Sequence, residues 1–246
     1  MISVVILTKN SSETIKDCLL ALNGLDEIII IDTGSTDNTL SLVKNYENTK
    51  IYNLDFTGFG ELRNLGASNA KNDWILAIDS DEILTDALKK EILNETFDPE
   101  YVYGFFFNNY YNNKLIKCCG WYPEKHIRLY NKTKTHFSNS LVHEKLIEDN
   151  FKKKYFINPI KHFPYRKIDD FLQKMSKYST LFASQNKTKK SSLTKAIIHS
   201  FFAFFKSYII KKGFLAKQEG FIISVYNANT AFYKYLKLQE TNSKEK

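Results

Sequence analysis

The sequence predicts an α/β protein with a mostly parallel sheet, helices on both faces of that sheet, and a helical C-terminal region. Over the first hundred residues, short apolar runs alternate with segments whose apolar residues recur every three or four positions. This alternation is typical of βαβ units, whose parallel strands are covered on both sides. The rhythm changes near Tyr101, and from residue 168 onward the spacing is helical. The 246 residues are 43% hydrophobic and 15% aromatic, which is enough for a sizeable core.

Each element follows from its own pattern. Strands are predicted at 2–7, 27–31, 51–54 and 74–78, with helices at 12–22, 39–46, 59–70 and 84–93. Beyond residue 100 we expect a strand at 103–109, a return strand at 114–118, an irregular segment at 120–166, and helices at 168–185, 193–212 and 214–238. The predicted domains are therefore an α/β domain at 1–166 and a helical region at 167–246.

Charge is distributed unevenly along the chain. Residues 1–150 carry 15 basic and 22 acidic side chains, whereas residues 151–246 carry 20 basic and 5 acidic ones. Within the basic part, the segment 193–212 combines aromatic residues with flanking lysines, a composition that suits a helix at an anionic membrane surface. The same segment also suits a helix packed on the α/β domain, and both interpretations stay open. Nucleic acid is excluded as the expected partner, because the chain has only three Arg and no recognised binding motif.

Cysteine content and apolar runs indicate a compartment. The chain has three Cys, so a paired disulfide framework would leave one thiol over, and we expect a reducing environment. The N-terminal run 2–7 lacks a basic leader, and the longest nearly apolar stretch, 196–205, is half of the ~20 residues that a spanning helix needs. We therefore expect a cytoplasmic protein. Cys118-Cys119 has no second Cys pair in zinc-binding spacing, so no zinc site is predicted.

Polar residues collect where the predicted strands end. Thr8-Lys9-Asn10, Asp32-Thr33-Gly34-Ser35 and Asp79-Ser80-Asp81 each follow an apolar strand. Ligands of open α/β sheets bind at the carboxyl ends of the strands, so these three segments predict a binding site. Two carboxylates at i and i+2 repel each other unless a cation lies between them, and Mg²⁺ or Mn²⁺ prefers such oxygen ligands. The alternative for the acidic run is a favourable helix N-terminus.

The remaining polar segments leave other possibilities open. Asp32 could accept hydrogen bonds from a nucleobase or ribose, while the residues after it could simply cap the next helix. The segment 58–64 supplies a flexible loop and the cation of Arg63, but it lacks the full glycine fingerprint of dinucleotide-binding proteins, so NAD is not an expected cofactor.

Taken together, these motifs resemble family 2 glycosyltransferases, which have the GT-A fold. The resemblance is carried by Thr8 and Asn10 and by the segments Asp32–Asp37, Arg63-Asn64 and Asp79–Glu82. Later motifs resemble the bacterial branch that includes lipopolysaccharide-core β-1,4-glucosyltransferases: 120–123, 128–130, 142–144, 162–166, 212–221 and 235–237.

This resemblance implies roles for individual residues. Asp32 would contact the base, Asp79 would lie near the ribose, and Arg63 would lie near the nucleotide-sugar, with Thr8 and Asn10 on the same donor side. Asp81 and His162 would hold the Mn²⁺ or Mg²⁺ ion. Glu144 would deprotonate the acceptor hydroxyl, but the acidic pair common in the family is His143-Glu144 here, so His143 could share that role. Trp121 and Arg128 would lie on the acceptor side, although Trp121 could equally fill the core.

The resemblance further implies inverting transfer of a hexose, with UDP-glucose as the expected donor and a glycolipid such as the lipopolysaccharide or lipooligosaccharide inner core as the acceptor. The enzyme would then work at the cytoplasmic face of the inner membrane. Two other functions stay open: a catalytically silent sugar-nucleotide-binding or membrane-scaffold protein, and a sugar nucleotidyltransferase. A nucleotidyltransferase would need a Gly-rich basic loop after the first strand, which 8–12 is not.

Overall fold

The computed structural model describes residues 1–139 and 144–244, which divide into two compact units. The first unit comprises 1–108 and 124–162, and the second comprises 109–123 and the chain from Phe163 onward. The second unit is thus assembled from two separate stretches of the chain. The functional boundary predicted after residue 166 stays a prediction.

The first unit begins with the predicted βαβ units. Its parallel strands β1 (Ile2–Thr8), β2 (Glu27–Asp32), β3 (Thr49–Asn53) and β4 (Trp74–Asp79) lie in the order β3-β2-β1-β4. The helices are α1 (Ile15–Ala21), α2 (Thr39–Val43), α3 (Phe59–Ser68) and α4 (Asp86–Leu93). Every residue of β1 and β2 is buried, as expected for strands that are covered on both faces. The carboxyl ends of β1, β2 and β4 therefore meet at one edge of the sheet.

The remaining strands make the sheet mixed. They are β5 (Glu82–Leu84), β6 (Tyr101–Tyr111), β7 (Lys114–Leu115), β8 (Glu124–Asn131), β9 (Lys152–Tyr155) and β10 (Ile160–His162). Strand β8 runs antiparallel to both β4 and β6, and β10 runs antiparallel to β5. The predicted α/β class is confirmed, while the sheet as a whole is less parallel than the first hundred residues alone suggest.

The prediction that 120–166 is irregular was wrong, because this segment contains β8, β9 and β10. Their patterns are hidden by polar side chains: β9 begins with three lysines, and β8 begins with Glu124-Lys125-His126. The return strand predicted at 114–118 is only two residues long, since the chain leaves β6 after Leu115. The helix predicted from residue 84 begins at Asp86, because Glu82–Leu84 pairs with β10 as a strand.

The second unit is mostly helical, as predicted. It contains α5 (Ile168–Gln185), α6 (Leu193–Phe205), a π-helical turn (Lys206–Ile210), a 3₁₀ turn (Gly213–Ala216) and α7 (Lys217–Lys244). Both α5 and α6 pack on α7. Among the described residues, one stretch, Leu193–Ile210, is long and apolar enough to cross a membrane by length and composition alone.

The parallel strands should dominate the stability of the first unit. Ile30 lies in β2 with no solvent exposure, so Ile30→Ala should lower the free energy of unfolding by about 2–5 kcal/mol through lost burial and a cavity. Urea unfolding measures this loss. Leu20→Ala is the matched control, since Leu20 is half exposed on α1 and its truncation should cost less than about 0.5 kcal/mol. Equal losses in the two variants would contradict this packing.

Candidate active site

Three loops meet at the carboxyl ends of β1, β2 and β4. The backbone N–H of Asn10 donates to Ser35 Oγ at 2.8 Å, and Asn10 Oδ1 accepts from the N–H of Thr36 at 2.7 Å. Ser11 Oγ lies 2.7 Å from Ser80 Oγ, which links the first loop to the acidic turn after β4. Asn10 adopts the left-handed backbone conformation (φ 51°), which Asn tolerates better than most residues. The three predicted motifs are thus connected to one another.

Asp32 and Thr8 end their strands inside this edge. The buried Asp32 carboxylate accepts hydrogen bonds from the N–H groups of Gly34 (3.0 Å) and Ser35 (2.9 Å) and from the Ser35 hydroxyl. These hydrogen bonds hold the turn that follows β2. The contact of Asp32 with a nucleotide base stays a prediction. Thr8 is also buried, and its hydroxyl has no hydrogen-bond partner within the described parts of the chain. A buried hydroxyl without a partner is costly, so this atom is available to a ligand.

Asp79 lies between two arginines. Arg63, which is buried on α3, donates from Nη2 to Asp79 Oδ1 at 2.7 Å. Arg128, on β8, donates from Nη2 to Asp79 Oδ2 at 3.3 Å and to Glu82 Oε1 at 2.7 Å. The second oxygen of Glu82 accepts the backbone N–H of Asp79 at 3.0 Å. This four-residue set, called here the arginine–carboxylate network, holds the acidic turn in place.

The network sets the protonation of its carboxyl groups. Burial alone would raise the pKa of Asp79, but the charges of Arg63 and Arg128 outweigh it and lower that pKa to about 2. Glu82 is more deeply buried, and burial raises its pKa despite the hydrogen bond from Arg128. Asp79 is therefore ionised under physiological conditions and oriented by fixed cations.

Glu144 is brought to the same place by a second contact of Arg63. Arg63 Nε donates to Glu144 Oε1 at 3.3 Å, and the Glu144 side chain is 14% exposed. The neighbouring Asn64 exchanges two hydrogen bonds of 2.8 Å with the backbone of Phe137, which ties the pairing segments 136–138 and 145–147 to α3. A Cβ on Gly60 would meet the carbonyl oxygen of Ser138 at 1.9 Å, so this close approach requires glycine.

Asp81 and His162 approach each other at the other side of the acidic turn. The distance from His162 Nε2 to Asp81 Oδ2 is 3.7 Å, and both side chains are partly exposed. Burial lowers the pKa of His162, but the negative charge of Asp81 outweighs it, so the pKa is raised. The described residues hold no group of three or more His, Cys, Asp or Glu side chains arranged for a metal ion. One carboxylate and one imidazole still fit a Mg²⁺ or Mn²⁺ ion that shares substrate phosphates, because such ions keep several positions for non-protein oxygens.

Two predicted site residues are not brought to this cluster by any described contact. His143 lies outside the described residues. Trp121 belongs to the second unit, where its ring stacks on Tyr165 at 5.5 Å between centroids and its carbonyl oxygen accepts from Asn109 Nδ2 at 3.0 Å. Trp121 therefore packs among other side chains of the second unit. Its role on the acceptor side stays a prediction.

Sequence reasoning missed three residues that build the site. Glu82 orients Arg128 and the Asp79 backbone, Asn64 anchors the segment that leads to Glu144, and Ser80 links two loops. Each is adjacent in sequence to a residue that was identified as part of the site. This adjacency was the signal that the sequence offered. Each of these residues makes a contact across 46 to 73 positions of the chain, which no local pattern displays.

Comparisons with known proteins decide the family. The model of glycosyl transferase family 2 matches residues 3–166, about two thirds of the chain. The chain belongs to glycosyltransferase family 2. An uncharacterized glycosyltransferase of Rickettsia typhi is 28% identical, covering 100% of this chain and 89% of the relative. The lipopolysaccharide core biosynthesis glycosyltransferase LpsC of Rhizobium meliloti is 24% identical, covering 98% of this chain and 93% of LpsC. The crystal structure of Staphylococcus aureus TarS 1-349 with UDP-GlcNAc superposes with a TM-score of 0.48 at 14% identity, covering 99% and 91%.

The family confirms the GT-A fold and the enzyme class that the motifs predicted. This glycosyltransferase has the acidic turn, both arginines and Glu144 within the matched region, and His162 is near its end. The roles of these residues in binding and transfer stay predictions.

The arginine–carboxylate network should be visible in acid. The folded pKa of Asp79, about 2, lies below its unfolded value of about 3.9, so its pairing stabilises the fold above pH ~4 and is lost as pH falls toward 2. Arg63→Gln removes one cation, so the stability gap between wild type and variant should be largest near pH 7 and should shrink as the pH falls from about 4 toward 2. Urea unfolding at a series of pH values measures the gap. Lys44→Gln, an exposed cation, is the control and should show no such trend. A gap that stays constant or widens in acid would contradict the assignment.

Proposed function

We propose that this glycosyltransferase moves a hexose, with inversion, from a nucleotide-sugar to a hydroxyl of a lipid-linked acceptor. The observation that carries the proposal is the contact of Arg63 with both Asp79 and Glu144 and of Arg128 with Asp79, in the same acidic turn whose Asp81 approaches His162. The proposed donor is UDP-glucose, and the proposed acceptor is an inner-core glycolipid of lipopolysaccharide or lipooligosaccharide.

Donor binding is assigned to the edge formed by β1, β2 and the acidic turn. Thr8 offers a buried hydroxyl without a partner, and Asn10 and Asp32 shape the loops that would border the base and ribose. Asp81 and His162 would hold Mn²⁺ or Mg²⁺. When bound, that ion supplies a Lewis acid that offsets negative charge on the diphosphate. Asp79, ionised and fixed by two arginines, would lie beside the ribose.

Glu144 is assigned to the acceptor proton. Its Oε1 atom is held by Arg63, which leaves its other carboxylate oxygen to accept a proton from an acceptor hydroxyl within hydrogen-bond reach. As that proton moves, the hydroxyl oxygen forms the new bond to the anomeric carbon from the side opposite the departing diphosphate, which inverts the configuration. No covalent intermediate is needed. His143 is the alternative base.

The acceptor class rests on similarity along the whole chain. LpsC is by its name a lipopolysaccharide core biosynthesis glycosyltransferase, and the similarity to it covers 98% of this chain, including the helical unit. A lipid-linked acceptor would require work at a membrane, for which we propose the cytoplasmic face of the inner membrane and contact through 193–212. Trp121 and Arg128 remain the proposed acceptor-side residues.

A screen of nucleotide-sugars tests the proposed function directly. Purified protein with Mn²⁺ should hydrolyse one donor slowly and should transfer its sugar faster once a core glycolipid extract is added. Nuclear magnetic resonance of the product should show a β-linked hexose. Donor binding without turnover under both conditions would favour a silent binding protein, and pyrophosphate release from a nucleoside triphosphate would favour a nucleotidyltransferase.

The proposed metal ligand can be tested by substitution. Asp81→Ala should abolish transfer and weaken Mn²⁺-dependent UDP binding, because the ion loses its carboxylate. Calorimetry of UDP binding with and without Mn²⁺ measures the second effect. Asp86→Ala, a highly exposed aspartate at the start of α4, is the matched control and should change neither quantity. Wild-type transfer by Asp81→Ala in saturating Mn²⁺ would overturn the assignment.

The proposed base can be tested in the same assay. Glu144→Gln keeps the shape but cannot take up the proton, so kcat should fall by ~10²–10⁴-fold while donor affinity changes little. The acidic limb of the pH–rate profile should disappear in this variant. Glu148→Gln is the nearby control, since Glu148 pairs with Lys153. A larger loss in His143→Ala, with Glu144→Gln nearly active, would move the role of base to His143.

A further inference from the structure

The second unit presents a continuous apolar surface to solvent. Helix α6, the π-helical turn and the 3₁₀ turn expose ten large apolar side chains by about two fifths or more, up to 74% for Phe201: Leu193, Ile197, Ile198, Phe201, Phe202, Phe205, Ile209, Ile210, Phe214 and Leu215. These residues are called here the apolar face. Soluble proteins rarely expose so much contiguous apolar surface unless it binds something.

Helix α6 exposes large apolar side chains that a helix of a soluble protein would normally bury. Its buried side is narrow: Ala196 is fully buried, and His199 and Phe204 contact Tyr235 and Phe221 of α7. In the π-helical turn that follows, the buried Ser207 accepts at Oγ from Ser224 Oγ and from Asn227 Nδ2, each at 3.0 Å. The residues of the apolar face are exposed instead. A surface helix normally directs its bulky apolar residues inward. The packing of this unit therefore leaves the apolar face exposed to solvent and does not bury it against another helix.

A glycine contact fixes the end of this surface. A Cβ on Gly220 would meet the carbonyl oxygen of Gly213 at 1.8 Å, so α7 and the 3₁₀ turn approach as closely as only glycine permits. This contact places Phe214 and Leu215 next to the π-helical turn, and both are exposed. The sequence motif 212–221 therefore has a structural role, which is to hold the 3₁₀ turn against α7.

Charge around the apolar face has one sign. Residues 187–218 contain eight lysines and no acidic residue, and the lysines flank the apolar side chains in sequence at both ends of α6. Lys206, Lys211 and Lys212 are exposed. A large apolar surface on a segment whose only charged side chains are cations is complementary to a membrane whose headgroups are anionic.

We propose that the apolar face inserts into the headgroup and upper acyl region of an anionic bilayer, with α6 lying in the plane of the membrane. A spanning orientation is disfavoured because α6 is bound along α7: His199 stacks on Tyr235 at 4.2 Å, and Ser191 Oγ donates to the Tyr235 carbonyl at 2.7 Å. Crossing would carry Lys195 and the neighbouring Lys234 of α7 into hydrocarbon, which is costly. This proposal depends on the proposed function only for the identity of the lipid-linked acceptor.

Vesicle flotation of the full chain tests this surface without any transfer step. We expect binding to vesicles of phosphatidylcholine with phosphatidylglycerol, weak binding to pure phosphatidylcholine, and loss of binding as salt rises. Phe201→Ser combined with Phe202→Ser should weaken partitioning about 100-fold, because two large apolar side chains are removed from the lipid. Lys206→Glu with Lys211→Glu should remove the preference for anionic lipid.

Matched variants and a second readout keep the result specific. Ile157→Ser, at an 85% exposed residue of the first unit, and Lys44→Glu should bind vesicles like wild type. Asp81→Ala should also bind normally, so failure of transfer and failure of membrane binding are separable. Equal binding to both vesicle types would overturn the proposal, as would a protein that resists alkaline carbonate extraction like a spanning one. A dimer that the double Phe variant converts to monomer, without vesicle binding, would assign the face to a second copy instead.

Discussion

The site depends on one electrostatic constraint: Asp79 must remain ionised at the end of a buried strand. Two arginines meet this requirement, and each also contacts another carboxylate, Arg63 contacting Glu144 and Arg128 contacting Glu82. Removing either cation would leave a carboxylate poorly compensated, which is far costlier than the pair is favourable. The same contacts that neutralise Asp79 therefore fix the distance between the acidic turn and the proposed base. The contacts that compensate the charge of Asp79 thus also place Glu144.

The mixed sheet explains how these residues come together. Parallel strands bring Thr8, Asp32 and Asp79 to one edge, but they cannot place a cation beyond Asp79, since the next strand along that side is antiparallel β8. Strand β8 supplies Arg128, β10 supplies His162 opposite Glu82, and α3 supplies Arg63 from the other layer. The later, irregular-looking part of the chain thus completes a site that the βαβ units begin.

Sequence reasoning identified the parallel strands and the acidic turn because both depend on local patterns of apolar and acidic residues. It missed β8 and β9, whose charged side chains hide the alternation of a strand, and it missed Glu82 and Asn64, whose partners are distant in the chain. Helix α6 shows a different limit. Its apolar period was visible, but only the structure shows which of its bulky side chains face solvent and which pack on α7.

The central claim is that the acidic turn and Glu144 form one donor and acceptor site around the arginines. Anomalous diffraction from crystals soaked with UDP and Mn²⁺ tests it most directly. The account predicts an Mn²⁺ peak at coordination distance from Asp81 and His162, with the diphosphate bound to that ion and Glu144 on the far side of the sugar position. A nucleotide bound away from the carboxyl ends of β1, β2 and β4, or an ion that contacts neither Asp81 nor His162, would contradict it.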